Sequence, residues 1–150
     1  MGTNKREASM GQLIKSIELS TLTLIKCDFE IVDPKEAPNG GSIEFSCEVG
    51  FPDSEVDNEF EMISKFEIRG FRDEEDLFIL KQDFIGVFKE LDIETFLAET
   101  KETQVQYCMS LVYPTLRENA QYILNKAGLG QIDIPIHFSA PEVEEIEKNT

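Results

Sequence analysis

Apolar and polar residues alternate along four stretches in the first part of the chain, and each stretch predicts a strand. From Ile17 to Val32, one parity holds Ile17, Leu19, Thr21, Thr23, Ile25, Cys27, Phe29 and Ile31. The other holds Glu18, Ser20, Lys26, Asp28 and Glu30, with Leu22 and Leu24 as exceptions. These two leucines make the middle of the strand apolar on both faces. That suits a strand pairing with a second subunit, and equally one covered on both sides within its own chain. After a loop marked by Pro34, Pro38, Asn39, Gly40 and Gly41, a second strand has Ile43, Phe45, Cys47, Val49 and Phe51 on one face. A third has Phe60, Met62, Phe66 and Ile68 on one face. Glu59, Glu61, Lys65, Glu67 and Arg69 lie on the other. The fourth runs from about Leu77 to Phe88, and its period slips near Gln82–Phe84 and Gly86, which predicts a bulge or bend. The connections 52–58 and 72–76 are short and polar, with no helix between strands, so an antiparallel meander is expected.

The period then changes. Across Gln104–Ala127, apolar residues fall at Val105, Cys108, Met109, Val112, Leu116, Ala120, Ile123, Leu124 and Ala127, the spacing of one helical stripe. Gly128 supplies a stop and Lys126 suits the negative end of the helix dipole. Pro114 predicts a kink or a broken start, and Ile93–Ala98 predicts one short turn of helix before the long one. After Gly128, the alternation of Ile132, Ile134 and Ile136 around Pro135 predicts an extended segment off any central strand position. The fold class is therefore α+β: a four-stranded antiparallel meander sheet packed by one long C-terminal helix. Residues 1–12 read as a disordered tail, 13–138 as the domain and 139–150 as an acidic disordered tail.

A chain of 150 residues with 41% hydrophobic positions can bury one substantial core. Its net charge of −16 opposes binding to nucleic acid or to an anionic membrane, and favours basic partners or simple solubility. No stretch approaches the length of a membrane helix. Cys27, Cys47 and Cys108 form no metal-binding or redox pair, and read as reduced core thiols of a cytoplasmic protein. The single histidine, His137, has no partner at metal or catalytic spacing. No glycine-rich loop joins a strand to a helix. No catalytic residue, metal or cofactor is expected. What remains is apolar strands, an amphipathic helix and an apolar extension, features that bind other chains.

The block Tyr113-Pro114-Thr115-Leu116-Arg117-Glu118, followed by Gly128 and then Ile132, Pro135, Ile136 and Phe138, resembles the helix and extension of the SecB family of protein-export chaperones. Phe78–Phe88 is similar to that family's fourth strand, and Phe29-Glu30 is a further match. The resemblance covers roughly 70–138 in motifs and 17–138 in topology, and is closer to diverged SecB-like proteins than to the export factor. It implies a dimer of dimers holding non-native polypeptides without ATP. It also implies a docking face for a SecA-type motor, with Glu30 and Ile79 as the candidates. Lys26 and Lys81 stand where the family has acids, which weakens that contact. A second C-terminal helix is expected to be short or missing, since an acidic stretch with Pro141 follows Phe138.

The expected partners are unfolded or preprotein polypeptides, with Ile43, Phe45, Phe51, Leu129, Ile132, Ile134 and Ile136 as candidate groove residues. Leu22, Leu24, Cys108, Met109 and Val112 are candidates for an oligomer interface. Each apolar group has a plain alternative: Ile43, Phe45 and Phe51 as core, and the helix stripe as packing on its own sheet. Pro114 and Arg117 read as a kink and a salt bridge. The competing function is a dedicated oligomeric module serving one partner, such as a toxin–antitoxin pair. A pocket enzyme lacks any polar constellation.

Overall fold

The structure, a computed structural model, describes residues 11–54 and 56–137, together with the backbone of 143–146. Strands β1 (Ile17–Ile31), β2 (Ser42–Gly50), β3 (Glu59–Arg72) and β4 (Glu75–Glu90) precede a short helix α1 (Ile93–Leu97) and the long helix α2 (Lys101–Lys126). A four-residue strand β5 (Val143–Ile146) ends the described chain. The α+β class, the four-stranded antiparallel sheet and the long C-terminal helix are as expected. A helical turn over 11–14, with Leu13 fully buried, reaches into the stretch read as an N-terminal tail. The rest of that stretch, and Phe138, lie outside the described residues.

The strand order is β1-β4-β3-β2-β5, so the meander holds only for β2, β3 and β4. β1 lies antiparallel to β4, and the connection from β1 to β2 crosses the end of the sheet, giving a Greek key. Alternation predicts strands but not their partners, which is why this crossing was not foreseen. β5 adds to β2 in parallel, where the sequence suggested an unstructured acidic tail.

Two register shifts in β1, between Leu19 and Thr21 and between Leu24 and Lys26, leave Ser20 and Ile25 as the extra residues. Each shift flips the parity of the strand. Leu22 then stands opposite Gly86 and Leu24 opposite Phe84, on the face that carries the helix, while Thr21 and Thr23 turn away. β4 itself runs through Gln82–Phe88 without a break. Phe78, Leu80, Gln82, Phe84, Gly86 and Phe88 form one buried row. The apparent slip was a polar residue in the core row: Gln82 is fully buried. It donates from Nε2 to the Leu116 carbonyl (3.1 Å) and accepts from Asn119.

α2 opens at Thr100, whose hydroxyl accepts from the Thr103 amide (3.2 Å). It closes on Gly128 at φ 77°: the Leu129 amide reaches the Leu124 carbonyl (2.8 Å) and the Gly128 amide reaches Asn125 (3.2 Å). The helix continues unbroken through Pro114, which sits on its exposed face. Cys108, Met109, Val112, Leu116, Ala120 and Leu124 are fully buried against Met62, Ile68, Leu80 and Phe88 of the sheet. Cys108, Met109 and Val112 are therefore closed to a second copy and do not form an oligomer seam. Burial pushes the Cys108 thiol up to about 12, so it stays protonated. Cys47 is also buried, but Cys27, expected in the core, is exposed because β1 is an edge strand.

Gly70 packs under Phe78. A Cβ there would lie 2.2 Å from the Phe78 ring, which is buried and cannot swing away. The substitution Gly70→Ala is expected to cost about 1–3 kcal/mol, read as a lower urea midpoint at unchanged slope.

Candidate functional site

A cavity of about 300 Å³ opens where three segments meet at one end of the sheet. Its floor is Ile43, Phe45, Gly70, Leu77 and Phe78. One wall is the β1–β2 crossover, through Ala37, Gly40 and Gly41; the other is the segment after α2, through Gln131, Ile132 and Asp133. The lining is mainly apolar, with Ser42, Gln131 and the exposed Asp133 carboxylate at the rim. An apolar floor with few polar groups at the rim suits an apolar group of a ligand.

Each wall is fixed by hydrogen bonds that the local sequence supplies. In the crossover, Asp33 Oδ1 accepts from the amides of Lys35 and Glu36 (3.2 Å each), starting a turn that leads into the 3₁₀ helix Ala37–Asn39. Arg72 ties this loop to β3: it donates to Glu36 (2.7 Å) and to the Gly40 carbonyl. In the other wall, the cap of α2 buries Leu129 completely. Arg117 Nε then donates to the Ile134 carbonyl (3.0 Å) and the Tyr113 hydroxyl to the Pro135 carbonyl (2.5 Å). Arg117 is thus a clamp on the backbone of the segment, and among the described residues it forms no salt bridge.

The candidate groove residues separate into three groups. Ile43 and Phe45 of β2 and the distant Ile132 come together in the cavity. Leu129 and Ile134 have no exposed surface and belong to the core, not to a groove. Phe51 lies elsewhere. Its ring meets Phe60 at 6.2 Å, within a cluster that includes Phe88 and Phe96, and the Lys101 ammonium sits 4.3 Å from its centre. Ile136 is 69% exposed and borders a second hollow with Tyr113, Pro114 and His137. The sequence reading missed Leu77, Phe78 and the crossover wall. Leu77 and Phe78 reach β2 through β3, where Gly70 pairs with Phe78 on one side and Ile43 on the other, and the crossover wall runs directly into β2.

Glu30 and Ile79, the docking candidates, are direct cross-strand partners on the face away from the helix. On that face Lys81 stands between Asp28 and Glu67, and Lys26 opposite Asp83. It is a ladder of alternating charge rather than an acidic surface. Among the described residues, no group of three or more His, Cys, Asp or Glu is placed to hold a metal ion, and no helix is long and apolar enough to cross a membrane.

Among solved structures, the chain is similar to the Mycobacterium tuberculosis SecB-like chaperone Rv1957, solved with a ChAD peptide from the Rv1956 HigA1 antitoxin. The TM-score is 0.59 at 12% identity, over 87% of this chain and 97% of that one. The fold is SecB-like. A protein of unknown function from Streptococcus agalactiae is also similar, with a TM-score of 0.48 at 10% identity over 81% of this chain and 97% of that one. No family model matches the sequence, and no curated protein matches it. The cavity wall after α2 is held to the helix by the side chains of Arg117 and Tyr113. Arg117→Ala is expected to free it at a cost of about 1.5–3 kcal/mol. Hydrogen exchange at Ile132, whose amide bonds to the Leu129 carbonyl (3.1 Å), should rise in this variant while exchange in β3 and β4 stays protected.

Proposed function

We propose that the chain binds extended or non-native polypeptide segments without a nucleotide, as a SecB-like chaperone. The observation that carries this reading is the apolar cavity formed by Ile43, Phe45 and Ile132 between the crossover and the post-helix segment. The peptide bound to the SecB-like neighbour supports a polypeptide as the occupant. Burial of an apolar side chain there contributes at roughly 25 cal/mol per Å² before ordering costs. A contact with a SecA-type motor through Glu30 and Ile79 is weakened by Lys26 and Lys81, so export is the lesser role in this proposal. The test is suppression of aggregation of two unrelated unfolded proteins without ATP, at near-stoichiometric chaperone. Both should stay soluble, and Ile132→Glu should lose most of that protection while keeping its melting temperature within a few degrees. If neither client is protected, a general holdase is ruled out. The second reading, a dedicated module for one partner, then leads. The antitoxin peptide on the neighbour favours that reading equally.

The assembly in this proposal is a homo-oligomer, a dimer of dimers, built on β1. That strand is a sheet edge; Leu24 and Ile25 are 41% and 50% exposed, and Leu22 is only partly covered by the helix. An exposed edge with apolar residues is what a second copy would cover. By light scattering, the wild-type mass should be a multiple of 17.1 kDa, and Leu24→Glu should shift it toward 17.1 kDa. A wild-type protein already at the single-chain mass would sink the assembly.

A further inference from the structure

The outer edge of β2 meets the cavity along one half and another strand of this chain along the other. Ser42, Ile43 and Phe45 line the cavity, while Cys47–Gly50 pair in parallel with Val143–Ile146. Among the described residues, Ser42–Ser46 have no strand partner on that side. An edge strand leaves amides and carbonyls pointing outward, and these accept an added strand. β5 meets that need over only four residues.

β5 is also a weak occupant. Four residues is near the lower limit for a strand. Charge opposes it as well: the register sets Glu144 against Glu48, and like charges directly opposite destabilise a pair. Two of the four residues of β5, Glu144 and Glu145, are acidic, beside a β2 that carries Glu44 and Glu48. The chain has placed a short acidic strand on an acidic edge.

We propose that the β2 edge is a strand-addition surface for an extended polypeptide segment free of acidic residues, running parallel to β2, and that β5 is the chain's own displaceable occupant of that position. This rests on the polypeptide-binding reading above and extends it from the cavity to the β2 backbone. An incoming segment longer than β5 reaches the unpaired amides and carbonyls beside Ser42–Ser46. Without carboxylates it also escapes the repulsion from Glu44 and Glu48. It therefore replaces β5 with a net gain in both hydrogen bonding and charge.

The full chain carries its own test. Glu144→Pro with Glu145→Pro removes adjacent amides, so the strand cannot pair in either phase. A labelled dodecapeptide of apolar and neutral polar residues should then bind about tenfold tighter than to the wild type. Glu144→Gln with Glu145→Gln relieves the repulsion without blocking pairing, and should weaken the same peptide. Val143→Cys stands in register with the native Cys47. Oxidation by diamide should link the two thiols, as the separation of paired strands allows. The linked form should lose at least tenfold in affinity, and reduction should restore it. Equal binding by all forms, with the link confirmed by mass, would overturn the displaceable strand and leave polypeptide binding standing. Failure of the thiols to link would overturn the β5–β2 pairing. Binding by none of the forms would bring down the polypeptide-binding reading itself.

Discussion

The seam between α2 and the sheet holds the rest of the structure in place. Its apolar residues supply most of the driving force, yet apolar contact alone would let a helix slide along a sheet. Gln82 removes that freedom. Its amide is fully buried and can be satisfied only where the Leu116 carbonyl and Asn119 pass over it. Once that register is fixed, so is the end of the helix at Gly128, and so is the position of Arg117 and Tyr113 along it. Those two side chains hold the backbone of Ile134 and Pro135, which in turn hangs Ile132 over the floor of the cavity. One buried polar group thus reaches the candidate site through a chain of hydrogen bonds.

Most of the fold was legible because its elements are long and strongly periodic. The strands and α2 were found near their observed bounds, and the cap at Gly128 was read from a single glycine. What escaped the sequence was whatever depends on pairing. The two bulges in β1 invert its parity twice, so Leu22 and Leu24, exceptions to a simple alternation, take the helix side while Thr21 and Thr23 turn outward. A fixed period of two has no means of showing an inserted residue. Gln82 misled for the opposite reason: it keeps perfect register, but its polarity made an unbroken strand look slipped.

The site was legible only in part, and burial explains the division. Ile43, Phe45 and Ile132 converge because the tertiary fold brings β2 beside the segment after α2. Leu129 and Ile134 sit in the same apolar extension and look identical to Ile132 in sequence. They are consumed by the helix cap and by the core, a distinction that no local pattern carries. Cys108, Met109 and Val112 show the same thing on the helix: a stripe tells which side is covered, not by what. Phe51 continues the alternation of β2 but turns into an aromatic cluster at the far end of the sheet.

The crossing from β1 to β2 has a consequence for how the chain reaches this state. β2, β3 and β4 join through short connections and can zip together locally. β1 must instead find β4 across the length of two intervening strands, a closure whose entropic cost precedes any reward. On a growing chain, β1 emerges first and waits longest, with its apolar middle uncovered until β4 is complete. A protein proposed to shelter unfinished chains thus passes through such a state itself, and the strand left open longest is the one on which its assembly is proposed to form.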